Sequence, residues 1–155
     1  MLNTGDDDDP DAAARVAYPH ANSAVVSIRG RLESEIAQLD PDDRAVFMAE
    51  YGVAQTSAER ILATCYRLLG LQSFFTVGED EVRAWTIPIG ATALEAAGAI
   101  HADLARGFIR AEVVSYDDLI ACGGMAGARQ AGKHRMEGRT YVMADGDVVH
   151  VRFNV

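Results

Sequence analysis

The sequence predicts an α+β chain in which a β-grasp domain follows a small helical segment, and three features carry that prediction. Apolar residues recur at helical spacing up to residue 70; from Phe74 the period changes to that of strands; and the last run, residues 148–154, places Val149, Val151 and Phe153 on one side. Between them, residues 74–109 read as strand, turn, strand, Gly-led helix start, amphipathic helix and Gly stop. A hairpin, one packed helix and three further strands are the elements of a β-grasp sheet, with the closing strand beside the first, inside the sheet.

Composition bounds the function. At 49% apolar and 24% charged residues the chain is an ordinary globular one. Its 14 basic and 23 acidic residues give a formal charge of -9, which excludes whole-molecule attraction to nucleic acid or an anionic membrane, so any such contact must be local. Cys65 and Cys122 lack a partner at motif spacing and read as small core or near-core residues, not as a disulfide, ligand or nucleophile, in reducing, cytoplasmic surroundings. Without a basic-then-apolar leader or an apolar run of roughly 18 to 20 residues, the chain is expected to be neither secreted nor integral to a membrane.

Residues 1–24 hold five aspartates between Asp6 and Asp11 and read as a mobile acidic lead-in. The β-branched run at 24–28 is strand-like, with no partner strand expected before residue 74. Leu32, Ile36 and Leu39 mark one helix face. Asp40-Pro41 restarts the chain as a second helix to about residue 51. Thr56 and Glu59 have the capping-box spacing and open a third helix, which carries Ile61, Leu62, Cys65, Leu68 and Leu69 inward and ends at Gly70.

The FFTV and VRAWTI runs flank GEDE, the signature of a hairpin. The second run has bulky apolar groups on both faces and is expected to be a central strand. Thr92 is placed to cap a helix through Leu104, with Leu94, Ala97, Ile100 and Leu104 as its apolar stripe and Gly107 as its stop. A strand over 108–116 and a short helix begun by Asp117-Asp118 follow. Residues 123–139 read as an irregular Gly-rich, basic insert, then a strand at 141–143, the turn Asp145-Gly146-Asp147 and the closing strand.

Chemistry is sparse. His20, His101, His134 and His150 have no metal-ligand spacing, and His101 and Asp103, two apart on one expected helix, do not share a face. Asp117 or Asp118 with a histidine could form an acid-base pair, or simply start a helix. An acid-base or metal-dependent enzyme using His101, Asp117 and His134 is the alternative functional reading. No G-x-x-x-x-G-K-[ST] loop occurs in the sequence. Arg129, Lys133, Arg135 and Arg139, against Glu137, form a locally basic stretch. It either meets RNA phosphate or is a solvated loop paired with nearby acids.

FFTVGEDEVRAWTIPIGATALEAAGAIHADLARGFIRAEVVSYDDLI, followed by AGKHRMEGRTYVMADGDVVHVRFNV, closely resembles the C-terminal region of the YchF / Obg-like ATPase family. The pieces that carry the likeness are Phe75-Thr76, residues 81–86 (EVRAWT), His101, Asp103, Gly107-Phe108-Ile109, Gly138-Arg139 and Asp145-Gly146-Asp147. The resemblance implies a TGS domain of β-grasp fold over 74–155, a helical linker over 31–73 and a loosely ordered remnant of a nucleotide-binding domain over 1–30. Asn3 to Asp6 (NTGD) is similar to the family's Asn-x-x-Glu base-recognition motif, so Asn3 and Asp6 are the implied nucleotide contacts. The family's phosphate loop, switch regions and Mg-binding residues precede this motif, which implies that an N-terminal ATPase portion is missing. The implied function is a noncatalytic module of a translation-associated ATPase/GTPase, with ribosome or RNA as partner. No nucleotide is expected on this chain alone; ATP or GTP with Mg belongs to the full-length family.

Overall fold

A computed structural model describes residues 1–5, 12–78 and 81–154. The chain divides into two compact units, Met1–Leu69 and Gly70–Val155.

In the first unit, β1 (Leu2–Asn3) pairs in parallel with β2 (Ser27–Ile28). The Leu2 N–H donates to Val26 O at 2.8 Å, and the Thr4 N–H donates to Ile28 O at 2.8 Å. The strand-like run at 24–28 therefore has a partner that sequence reading missed, because a two-residue strand is too short to leave a period-2 signature. Three helices follow: α1 (Gly30–Ala37), α2 (Pro41–Glu50) and α3 (Ser57–Leu69). Asp40 is extended ahead of Pro41, as a residue preceding proline must be, yet its side chain makes no capping hydrogen bond. The capping box of α3 is formed: the Thr56 N–H donates to Glu59 Oε2 at 2.8 Å and the Glu59 N–H to Thr56 Oγ1 at 3.3 Å.

Leu32, Ile36 and Val53, with Met48 against them, are the small core of this unit. The inward stripe expected on α3 is corrected: Leu62 and Leu69 are 61% and 70% exposed, and Cys65 is exposed too. Its anchored face is polar instead. The backbone N–H and hydroxyl of Ser57 donate to the Glu33 carboxylate, and Arg60 Nη2 donates to Ser27 O and Ser57 Oγ, each at 3.0 Å. Ser57 and Arg60 lie one turn apart on the same side of the helix, so the bonds to Glu33 and Ser27 fix its rotation.

The second unit is a five-stranded mixed sheet with helices, an α+β architecture. Its strands are β3 (Leu71–Val77), β4 (Val82–Pro88), β5 (Phe108–Ser115), β6 (Arg135–Glu137) and β7 (Asp147–Phe153), in the order β4-β3-β7-β5-β6. The hairpin keeps continuous antiparallel register from Leu71↔Pro88 to Val77↔Val82. The closing strand lies inside the sheet, parallel to β3 at Phe75↔Val148 and antiparallel to β5 at Val113↔Val149.

Three expectations are overturned here. β4 is an edge strand, with Val82 70% exposed and only Ile87 of its residues buried. Its apolar look on both faces misled because Trp85 is half polar in its contacts: Nε1 donates to Thr76 Oγ1 at 2.9 Å and the Arg83 guanidinium lies 4.2 Å from the ring centroid. The penultimate strand is β6, not residues 141–143. That stretch bonds to the start of α4 (Ala93–Ile100) and the turn before it, through the Ala93 N–H to Tyr141 O at 2.8 Å and the Met143 N–H to Ala91 O at 2.9 Å. Nor is the segment 123–139 irregular, since it contains α7 (Met125–Gln130) as well as β6.

The helix expected through Leu104 breaks in two. His101 is extended (φ -162°, ψ 144°), and its Nδ1 accepts the Asp103 N–H at 3.2 Å to start α5 (Ala102–Arg106). His101 Nδ1 and Asp103 Oδ2 are consequently 3.5 Å apart, correcting the separate faces predicted for them. A side chain that caps locally competes with helix continuation. Ahead of this break, Thr92 and Glu95 form a capping box, and Ala93, Ala96 and Ala97 bury against the sheet core of Phe74, Phe108, Ala111, Val113, Val149 and Val151. Gly107 is required by close approach: a Cβ there would lie 2.1 Å from Asn154 O. Among the described residues no helix is long and apolar enough to cross a membrane.

Candidate functional site

Strand alternation on β5 sends Ala111 and Val113 into the core and Arg110, Glu112 and Val114 to the opposite face. Glu112 nevertheless is 2% exposed, because side chains from two neighbouring segments and one strand close over it. Arg152 reaches diagonally from β7 to pair with Oε1. Arg129 Nη2, carried by α7, is 3.0 Å from Oε2, and His134 Nε2, just before β6, is 2.9 Å from the same oxygen. The short helix α6 (Tyr116–Ala121) leads into α7 and is capped by Ser115, whose Oγ accepts the Asp118 N–H at 3.2 Å. A Cβ on Gly127 would lie 1.9 Å from Cys122 O, so glycine permits α7 to fold back this closely.

The hydrogen bond from His134, working against burial and helped by Arg152 and Arg129, holds the Glu112 carboxyl down at about 2. A carboxylate fixed as an anion is an anchor for cations rather than a proton acceptor near neutral pH. Removing its partners would strand a buried charge.

The structure finds a partner for each member of the basic stretch. Arg129 is held by Glu112, and Lys133 Nζ is 3.2 Å from Asp118 Oδ1. Arg135 Nη2 donates to Tyr141 Oη at 3.0 Å and to Asp147 Oδ1 at 3.5 Å, and Arg139 Nη2 donates to Phe108 O at 2.9 Å. Arg135 belongs to a second buried-carboxylate network: Asp147, 1% exposed, also accepts the Tyr141 hydroxyl and the Ala144 N–H, both at 2.9 Å. Burial, then the hydrogen bond to Asp147, raises the Tyr141 phenol above its ordinary value.

The residues of the alternative enzyme reading are dispersed. His101 caps α5, His134 is paired with Glu112, and Asp117 is exposed in the first turn of α6. Among the described residues, no group of three His, Cys, Asp or Glu is placed to hold a metal ion. Asn3 Oδ1 accepts the Gly30 N–H at 3.1 Å, at the start of α1, while Asp6 lies outside the described residues. A cavity of about 430 Å³ lined in part by Thr4, Ile28, Arg29 and Glu33 opens beside that strand pair. Asn3 Oδ1 is thus engaged at the start of α1.

Arg110, Glu112 and Arg152 are not among the functional candidates that the sequence points to, although Arg110 and Glu112 alternate with the core positions of the expected 108–116 strand. A signal for them existed: charges at alternate positions, Arg110 and Glu112 on one strand and His150 and Arg152 on another, each interleaved with core residues.

Comparison with known proteins agrees with this architecture. Residues 71–154 match the family model YchF-GTPase_C, described as a protein of unknown function (DUF933). The ribosome-binding ATPase YchF of Bacillus subtilis is 52% identical over 134 residues, covering 86% of this chain and 37% of that protein. The ribosome-binding ATPase YchF of Escherichia coli O157:H7 is 49% identical over 133 residues, with the same two coverages of 86% and 37%. The structure of the Schizosaccharomyces pombe YchF GTPase superposes with a TM-score of 0.71 at 32% identity, covering 84% of this chain and 34% of that one. The chain thus spans well under half the length of the relatives it matches, at the end that the family model names. With its whole sheet unit matched, this chain belongs to the YchF C-terminal family.

Proposed function

We propose that this chain works as the noncatalytic C-terminal module of a YchF-type, translation-associated ATPase/GTPase and associates with the ribosome or RNA. The observation that carries the reading is the 52% identity to a ribosome-binding ATPase across 86% of the chain. The strand order β4-β3-β7-β5-β6, with a parallel pair at its centre and α4 against the core face, supports a β-grasp, TGS-like domain over 74–155. Residues 31–73 are then a helical linker and residues 1–30 the remnant of a nucleotide-binding domain, in a cytoplasmic protein. Asn3 and Asp6 contact a base only when the rest of such a domain supplies the phosphate site, with ATP or GTP and Mg bound there. In the basic set of Arg129, Lys133, Arg135 and Arg139, Arg129 is the member whose surroundings best support a phosphate contact.

Co-sedimentation with purified ribosomes and ATP turnover, measured on one preparation, test this function. Ribosome binding without turnover is expected. Appreciable turnover, or failure to bind ribosomes, overturns it.

A further inference from the structure

Resting on that reading, we propose that the contact surface for RNA phosphate is the sheet face carrying Arg110, Arg152 and Arg129, organised by the buried Glu112, and not the contiguous basic stretch of 129–139. The register places Arg110 directly opposite Arg152 across β5 and β7, with Glu112 opposite His150 on the next rung. Residues directly opposite in an antiparallel pair share a face, so the two guanidiniums stand side by side on this one. Like charges so placed repel, and they persist where an anion lies between or above them.

Glu112 supplies half of that compensation. It holds Arg152 and Arg129 while leaving their side chains 59% and 56% exposed, with guanidinium donors still able to meet an incoming oxygen. Arg110 is exposed and, among the described residues, pairs with no carboxylate. On a molecule of formal charge -9, Arg152 and Arg129 thus share the buried Glu112 carboxylate, and Arg110 adds a third guanidinium that, among the described residues, no carboxylate offsets. Lys133, Arg135 and Arg139 are spent on Asp118, on Asp147 with Tyr141, and on Phe108 O. The surface is thus assembled from two strands and a helix far apart in sequence. It matches a chain of phosphates, which positions by charge and fork-like donors without reading bases.

The test uses the full chain and a fluorescein-labelled single-stranded RNA of mixed sequence, with anisotropy followed over a salt series. Arg110→Gln with Arg152→Gln should weaken binding on the order of tenfold and flatten the log–log salt slope by about 0.7 per guanidinium removed. Because Arg152 also holds Glu112, the single variant Arg110→Gln, which breaks no ion pair among the described residues, guards against misfolding and should show its own share of the loss. Lys133→Gln should leave affinity and slope unchanged. If Arg110→Gln binds like the unaltered chain while neutralising Lys133, Arg135 and Arg139 abolishes binding, this surface is wrong and the ribosome/RNA function stands. If the unaltered chain binds ribosomes but not RNA, the contact is a ribosomal protein and the inference falls. Loss of both kinds of binding sinks the function itself.

Discussion

His134 Nε2 stands 2.9 Å from Oε2 of Glu112, a carboxylate whose side chain is 2% exposed. The pair ties the segment before β6 to the middle of β5, and with Arg129 and Arg152 it makes the interior of this face depend on one negative charge.

That dependence predicts an acid-sensitive fold. The Glu112 carboxyl is lowered from 4.5 to about 2, so the folded state holds its proton less tightly than the unfolded one. Its contribution is complete above pH 4.5 and is lost as pH falls towards 2, an effect of about 3 kcal/mol at most. Urea unfolding of Glu112→Gln should show reduced stability at neutral pH and a shallower decline through that window. An unaltered pH profile would mean the network does not hold.

Gly107 accepts the Asn154 N–H at 2.9 Å, and an added Cβ would press on Asn154 O. Gly107→Ala should therefore displace the end of β7 and cost roughly 2–3 kcal/mol. Gly138, where a Cβ meets nothing within 4 Å, is the control, and Gly138→Ala should unfold near the original midpoint.

Tyr141→Phe removes a hydrogen bond to the buried Asp147 and should destabilise the chain by about 2 kcal/mol in thermal unfolding. Spectrophotometric titration offers a second readout. The phenol of Tyr141 ionises above the ordinary range, so its loss should delete a step on the high-pH side of the tyrosine curve. Deletion of an earlier step would contradict the burial described.

The break between α4 and α5 rests on His101 as a cap. His101→Ala should cost about 1 kcal/mol, whereas His101→Asn, a better N-cap residue, should retain or exceed the original stability. Equal losses in both would assign another role to the imidazole.

The local chemistry of this chain was legible in its residues. Thr56 with Glu59 and Thr92 with Glu95 sit at the spacing that reciprocal capping demands, and both boxes form as the sequence implies or allows. The hairpin and the strand character of the closing run follow from turn length and apolar alternation, which are properties of a few neighbouring residues, while the place of that run inside the sheet was read from the full set of β-grasp elements. Only the tertiary structure decided what depends on distant partners. β1 exists because residues 26–28 accept it, β4 is at the edge because among the described residues no strand pairs beyond it, and the third helix faces inward through Ser57 and Arg60 because Glu33 and Ser27 bond there. The same holds for the charged face. Arg129 advertised itself within a basic run, but Arg110, Glu112 and Arg152 became a set only when strand register set β5 beside β7, since Coulombic contact follows distance in space rather than along the chain.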